Sequence, residues 1–166
     1  VEVGAGTGAP GLVLWSRGAT VTITDLAHTL PIMNMNIALN ATSSANTKSK
    51  DESCTHDIVA MALDWKDRAS AEMVLKARGP FDLICGAEVS YNTKLHEPLV
   101  DTLLVLMGNQ NSQLPQATAT ERCSATARGA HPSTEVLLAV PLREEDDNLI
   151  KLAVSKGFSA TLETTY

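Results

Sequence analysis

Hydrophobic and polar positions alternate in blocks along the chain. Short apolar or β-branched runs are followed, again and again, by segments with helical spacing. "VEVGAG" (1–6) reads as the end of a strand, and "PGLVLWSRG" (10–18) as a short helix entered through Pro10 and stopped at Gly18. "ATVTITD" (19–25) is a β-branched strand, and "LPIMNMNIALN" (30–40) a helix entered through Pro31. "DIVAMALDW" (57–65) is a strand, "RASAEMVLKARG" (68–79) a helix ending at Gly79, and "PFDLICGAEV" (80–89) a strand with a nearly continuous apolar run. "KLHEPLVDTLLVLMG" (94–108) sets Leu95, Leu99, Leu103 and Leu106 on one side of a helix. "TEVLLAVP" (134–141) is a strand. "EEDDNLIKLAVSKG" (144–157) is a helix with acids in its first turn and Lys156 in its last, as the helix dipole favours. "FSATLETTY" (158–166) begins one more strand.

Strands of this kind, buried on both faces and separated by helices, predict an α/β fold with a doubly wound, mostly parallel Rossmann-like sheet. Ligands of such sheets bind beyond the carboxyl ends of the strands, at the topological switch point. The residues that follow each strand therefore carry the chemistry: Gly4 to Gly8, Asp25, Asp64 and Trp65, Gly86 to Tyr91, and Pro141 with Leu142. Two polar stretches, 41–57 and 109–134, interrupt the pattern and read as flexible insertions in a single domain covering 1–166.

Composition narrows the partners. The chain has 166 residues, 44% hydrophobic and 19% charged, which suits one domain with a real core. A net charge of −6 and a pI near 5.1 give no basis for nucleic acid as the default partner. Cys54, Cys85 and Cys123 are odd in number and lack C-x-x-C spacing, and the four histidines show no metal-ligand spacing. A disulfide framework and a metal site are not expected, and a reducing cytosol or nucleus is. No apolar run reaches the roughly 18 residues that span a bilayer, so no membrane partner is expected either. The first residue is not Met, and it begins what reads as a buried strand, so a piece in front of it is expected to be missing.

The glycine loop can be read in two registers. Gly6-Thr7-Gly8-Ala9-Pro10-Gly11 matches the dinucleotide fingerprint G-x-G-x-x-G, with Asp25 at the position of a ribose-binding acid. Glu2-Val3-Gly4-Ala5-Gly6-Thr7-Gly8 instead matches acid-x-G-x-G-x-G, a turn directly off the strand that suits S-adenosylmethionine. In that register Glu2 organises the loop or receives the ligand's amino group through water. The other strand ends favour the second register. Asp25 can accept both ribose hydroxyls, Asp64 can accept from an adenine amine, and Trp65 offers a flat face beside the base. Glu88 and Tyr91 can receive and orient a cationic amine. No Tyr-x-x-x-Lys or suitable His supports hydride transfer, and no DPPY or NPPY signals methylation of a nucleic-acid base.

Together, "VEVGAGTGAPGLV", "VTITDLAHTLPIMNMNIALN", "LDW", "FDLICGAEVSYNTKLHEPLVDTL" and "LLAVPLREEDDNLIKLAVSKGF" resemble the methyltransferase-16 group of seven-β-strand protein-lysine methyltransferases. The resemblance covers most of the chain outside the two polar stretches. It implies a class I fold that binds S-adenosylmethionine and methylates a protein lysine, with chaperones and translation factors among the family's substrates. It implies cofactor contacts at Glu2, Gly4, Gly6, Gly8, Asp25, Asp64, Trp65 and Ala87, and catalytic roles for Glu88 and Tyr91. Glu88 stands where the family usually has Asp, and Ser90 replaces a more usual aliphatic residue. The family's leading segment and final antiparallel strand are not fully present, so a chain shortened at both ends is expected. A small-molecule N-methyltransferase and a non-catalytic, methyltransferase-like binding domain are the alternatives within this fold.

Overall fold

The computed structural model describes residues 1–44, 56–108, 134–140 and 146–161. Five strands, β1 (Glu2–Val3), β2 (Val21–Asp25), β3 (Ile58–Ala62), β4 (Leu83–Ala87) and β5 (Glu135–Ala139), form one parallel sheet in the order β3-β2-β1-β4-β5. The order reverses between β1 and β4, so the switch point lies where the glycine loop and Glu88 leave the sheet.

Helices α1 (Ala9–Ser16) and α2 (Leu30–Ser44) follow β1 and β2. With Ala5, Val21, Ile23 and Met33 they close one core, into which Leu14, Trp15, Leu30 and Ile37 pack. Helices α3 (Arg68–Arg78), α4 (His96–Leu106) and α5 (Asp146–Ser155) belong to the other face. There Val3, Ile84, Val74, Leu99, Leu103 and Leu149 share a second, larger core. The result is three layers, helices over sheet over helices.

Local chemistry explains most boundaries. Pro10 sits in the first turn of α1, where its missing N–H costs nothing. Asp67 caps α3 by accepting the Ala69 N–H at 3.1 Å. Helix α4 buries seven of its eleven residues, among them the predicted Leu99, Leu103 and Leu106. Leu95 lies just before it, in a 3₁₀ turn over Thr93–Leu95.

Several expectations need correction. Helix α2 runs to Ser44, past the predicted stop at Asn40 and into the first polar stretch, because nothing at residues 41–44 breaks a helix. His56, Asp57 and Thr134, also assigned to the polar stretches, are anchored. Asp57 pairs with Arg78, and Thr134 Oγ1 donates to Phe81 O at 2.8 Å. The remainder of both stretches lies outside the described residues, as do Pro141, Leu142, Cys54 and Cys123. Burial on both faces holds for β2, whose first four residues are buried. In β5, Glu135, Leu137 and Ala139 are exposed and alternate with half-buried Val136 and Leu138. Its alternation is that of a strand with one covered face. Lys156 lies just beyond α5, and its ammonium reaches α4 at Asp101 (2.5 Å) and Glu97 (3.4 Å). Residues 158–161 form no strand, and 162–166 lie outside the description. Among the described residues no helix is long and apolar enough to cross a membrane.

Candidate functional site

A cleft of about 320 Å³ opens at the carboxyl ends of β1, β2, β3 and β4. Gly4, Asp25, Asp64, Trp65, Glu88 and Tyr91 all line it. Leu26, Leu63, Lys66, Val89 and Leu95 complete the wall. Six of the ten residues singled out from the sequence thus meet in one place, although they come from four different strand ends. Glu2, Gly6, Gly8 and Ala87 do not line the cleft.

The floor is the glycine loop. At Gly4 the backbone has φ 62°, and a Cβ there would lie 2.9 Å from Val89 Cγ1 and 3.0 Å from Trp65 Cζ2. Glycine is needed at this position for conformation and for space, because the Trp65 ring rests almost on the backbone. Gly6 differs. Its φ is 55°, but a Cβ would meet nothing within 4 Å. Its open side leaves backbone available for close approach by a ligand.

Glu2 takes the organising role. It is 2% exposed, and its Oε2 accepts the Gly11 N–H at 2.8 Å, joining β1 to the first turn of α1. Burial pushes its carboxyl up to about 7, against the Gly11 hydrogen bond, which lowers it. Gly11 has no room for a side chain. A Cβ would fall 2.3 Å from Ile23 Cγ2 and 2.6 Å from Glu2 Oε2. This close helix–sheet packing is the job of the third glycine in the dinucleotide fingerprint too, so Gly11 does not separate the two registers. Gly8 is the residue before α1 and packs against Ile23. Ala87 lies inside β4, paired with Ala139 of β5.

The acids are fixed by their own neighbourhoods. Asp25 Oδ2 accepts the Gly6 N–H at 2.8 Å, while Oδ1 accepts from Leu26 N at 2.7 Å and Thr29 Oγ1 at 3.3 Å. A carboxylate offers about four lone-pair sites, so capacity remains toward the cleft. Asp64 Oδ1 accepts the Lys66 N–H at 2.9 Å, in a tight turn that sets Trp65 beside it. The Thr102 hydroxyl of α4 donates to Trp65 O at 3.4 Å. On the β4 side, Glu88 is exposed with φ 57°, its N–H donating to Ala139 O at 2.9 Å. Tyr91 is 64% exposed and stands on the rim, so the cleft has an open mouth on this side among the described residues.

Sequence reading missed several supports. Asn36 Nδ2 donates to Thr7 O at 2.9 Å and ties α2 to the glycine loop. The asparagine stands in "NIALN", a stretch that carried the resemblance with no role for its side chain. Ser70 Oγ, on α3, shares its proton between Asp67 O at 2.7 Å and Asp64 O at 3.0 Å and accepts the Asp64 N–H at 3.2 Å. No spacing rule announces such a contact.

A doubly wound parallel sheet, with acids and an aromatic around Gly4 at its switch point, defines a Rossmann-like α/β domain with its cleft where such folds hold their ligands. A lysine methyltransferase family model matches residues 1–126, and the chain belongs to that family. It is 33% identical over 111 residues to protein N-lysine methyltransferase METTL21A of Mus musculus, covering 67% of this chain and 45% of that protein. It is 30% identical over 112 residues to EEF1A lysine methyltransferase 3 of Xenopus tropicalis, covering 68% of this chain and 43% of that protein. The chain thus spans less than half the length of these relatives.

Proposed function

We propose that this chain binds S-adenosylmethionine in the switch-point cleft and directs its methyl group to a lysine of a protein acceptor. The observation that carries the reading is the meeting of Gly4, Asp25, Asp64, Trp65, Glu88 and Tyr91 around one cleft.

The donor set fits this ligand. Asp25 has lone pairs left for a ribose diol, and Asp64 stands beside the flat Trp65 face. When bound, S-adenosylmethionine supplies an electrophilic methyl on a sulfonium. The protein's part is then mostly to bring two partners into line. Among the described residues of the wall, Asp25 and Asp64 stand against Lys66, so the mouth favours a cationic side chain. Lysine has a reference pKa of about 10.4 and attacks only when neutral. The acids draw the charged amine to the mouth, and the apolar wall of Leu26, Trp65 and Leu95 disfavours its charge once it is inside. Glu88 orients that amine, and Tyr91 flanks it from the rim. The acceptors in view are translation factors, as the name of EEF1A lysine methyltransferase 3 states for that relative, and chaperones.

Tritiated S-adenosylmethionine incubated with the protein and host-cell extract tests the reading. One labelled protein band, lost in Glu88→Gln, supports it. Label confined to a small-molecule fraction replaces the acceptor class. No stabilisation by S-adenosylhomocysteine in a thermal melt removes the cofactor and leaves a binding domain.

A further inference from the structure

The turn that carries Glu88 and Tyr91 is held at both ends. At one end the Glu88 N–H donates to Ala139 O of β5 at 2.9 Å. At the other, the imidazole of His96 lies 2.9 Å from Ser90 O. A carbonyl oxygen only accepts, so Nε2 carries the proton and donates. His96 opens α4 and is 4% exposed, and Ser90 is 1% exposed. This is a buried hydrogen bond from the helix that follows the turn back into the turn itself.

The turn needs such a hold. Glu88 has φ 57°, in the left-handed region that residues with a side chain rarely adopt. Conformations of this kind persist where their surroundings over-determine them, and they gather at functional sites. Val89, 2% exposed, anchors the middle of the turn in the core and touches the space beside Gly4. Among the described residues the buried Ser90 hydroxyl has no hydrogen-bond partner. The polar anchor between Glu88 and Tyr91 is therefore the Ser90 carbonyl, and His96 is the side chain that meets it.

We propose that His96 is a positioning residue for the acceptor side of the cleft. Its Nε2–H fixes the Ser90 carbonyl, and so sets the direction in which Glu88 and Tyr91 face the mouth. This rests on the reading of Glu88 and Tyr91 as acceptor-side groups. The glycine loop and Asp25 lie on other strand ends and meet the turn through Val89 beside Gly4, so His96 acts on acceptor positioning more than on nucleoside binding.

The test compares His96→Leu, which leaves the Ser90 carbonyl buried without a donor, with His96→Gln, whose amide nitrogen reaches about as far as Nε2. Both are made in the full chain. In His96→Leu, amide hydrogen exchange at Val89–Tyr91 speeds up and label transfer to the extract band falls about tenfold or more. His96→Gln restores both toward wild type. S-adenosylhomocysteine affinity, by calorimetry, stays within about threefold in either variant. The proposal is overturned if His96→Leu exchanges and transfers like wild type. It is also overturned if a folded His96→Gln is as impaired as His96→Leu, or if ligand affinity falls in step with transfer. Should the wild type label no protein, the functional reading fails separately, and exchange at Val89–Tyr91 still decides the role of His96.

Discussion

The Gly6 N–H donates to Asp25 Oδ2 at 2.8 Å, so the acid that ends β2 holds the glycine loop that leaves β1. Ligand contact and loop support therefore share one carboxylate. Asp25→Asn keeps the shape but has one acceptor oxygen in place of two. Either the Gly6 or the Leu26 N–H then loses its partner, at a cost of about 1–2 kcal/mol. We expect a lower melting temperature together with an affinity for S-adenosylhomocysteine weakened about tenfold or more. A variant with unchanged calorimetric affinity would remove Asp25 from the ligand site.

Alanine in place of each of three glycines should separate three physical effects. Gly6→Ala meets no atom and carries only the left-handed backbone penalty, about 1–2 kcal/mol. Gly4→Ala adds contacts with Val89 and Trp65, so Trp65 must shift and ligand affinity should drop. Gly11→Ala drives a methyl into Ile23 and the Glu2 carboxylate and should cost most, about 3 kcal/mol or more. Denaturant melts should rank the three in that order. Equal losses would show that the loop repacks freely.

Glu2 makes stability depend on pH in an unusual sense. Burial raises its carboxyl from 4.5 to about 7. Between those values the folded state holds a proton that the unfolded chain has released. Its contribution is fully present below about 4.5 and is lost as pH rises through about 7. Glu2→Gln mimics the protonated form and keeps an oxygen for the Gly11 N–H. We expect it to flatten this part of the profile and to gain on the order of 1–3 kcal/mol over wild type at pH 8. Parallel profiles for the two proteins would exclude the buried carboxyl as the cause.

Glu88 should trade stability against turnover. Glycine accepts φ 57° without the side-chain penalty but gains freedom in the unfolded chain, so the two effects nearly offset. Glu88→Gly is expected to melt within about 1 kcal/mol of wild type while label transfer collapses. A large loss of stability would mean that the side chain holds the turn, and transfer at the wild-type rate would discard Glu88 as the orienting group.

Much of this arrangement was legible in the sequence because it follows from local pattern. The β-branched run before Asp25, the prolines that open α1 and α2, and the leucine spacing of α4 each declare an element by themselves. The rule that ligands gather beyond strand ends points to a wider set of residues, among them Gly4, Asp25, Asp64, Trp65, Glu88 and Tyr91 of the cleft wall. The buried supports were not legible. Asn36 reaching Thr7, Ser70 reaching Asp64 and His96 reaching Ser90 join elements through side chains whose direction no spacing fixes. Glu2 shows the same limit. Its position beside the loop was readable, but whether its carboxylate turned to the ligand or to Gly11 depended on how closely α1 packs on the sheet.

Strand β1 sits at the centre of the sheet, with Glu2 paired to Ile23 on one side and to Cys85 on the other. Its second neighbour is encoded far downstream of it. During synthesis β1 can pair with β2 early, but one of its edges stays bare until β4 leaves the ribosome. Such long-range parallel pairing forms slowly and leaves strand edges open to wrong partners in the meantime. The centre that carries the glycine loop is thus completed late, and a chaperone that shields the nascent edge should raise the yield of folded protein more than one that acts after release.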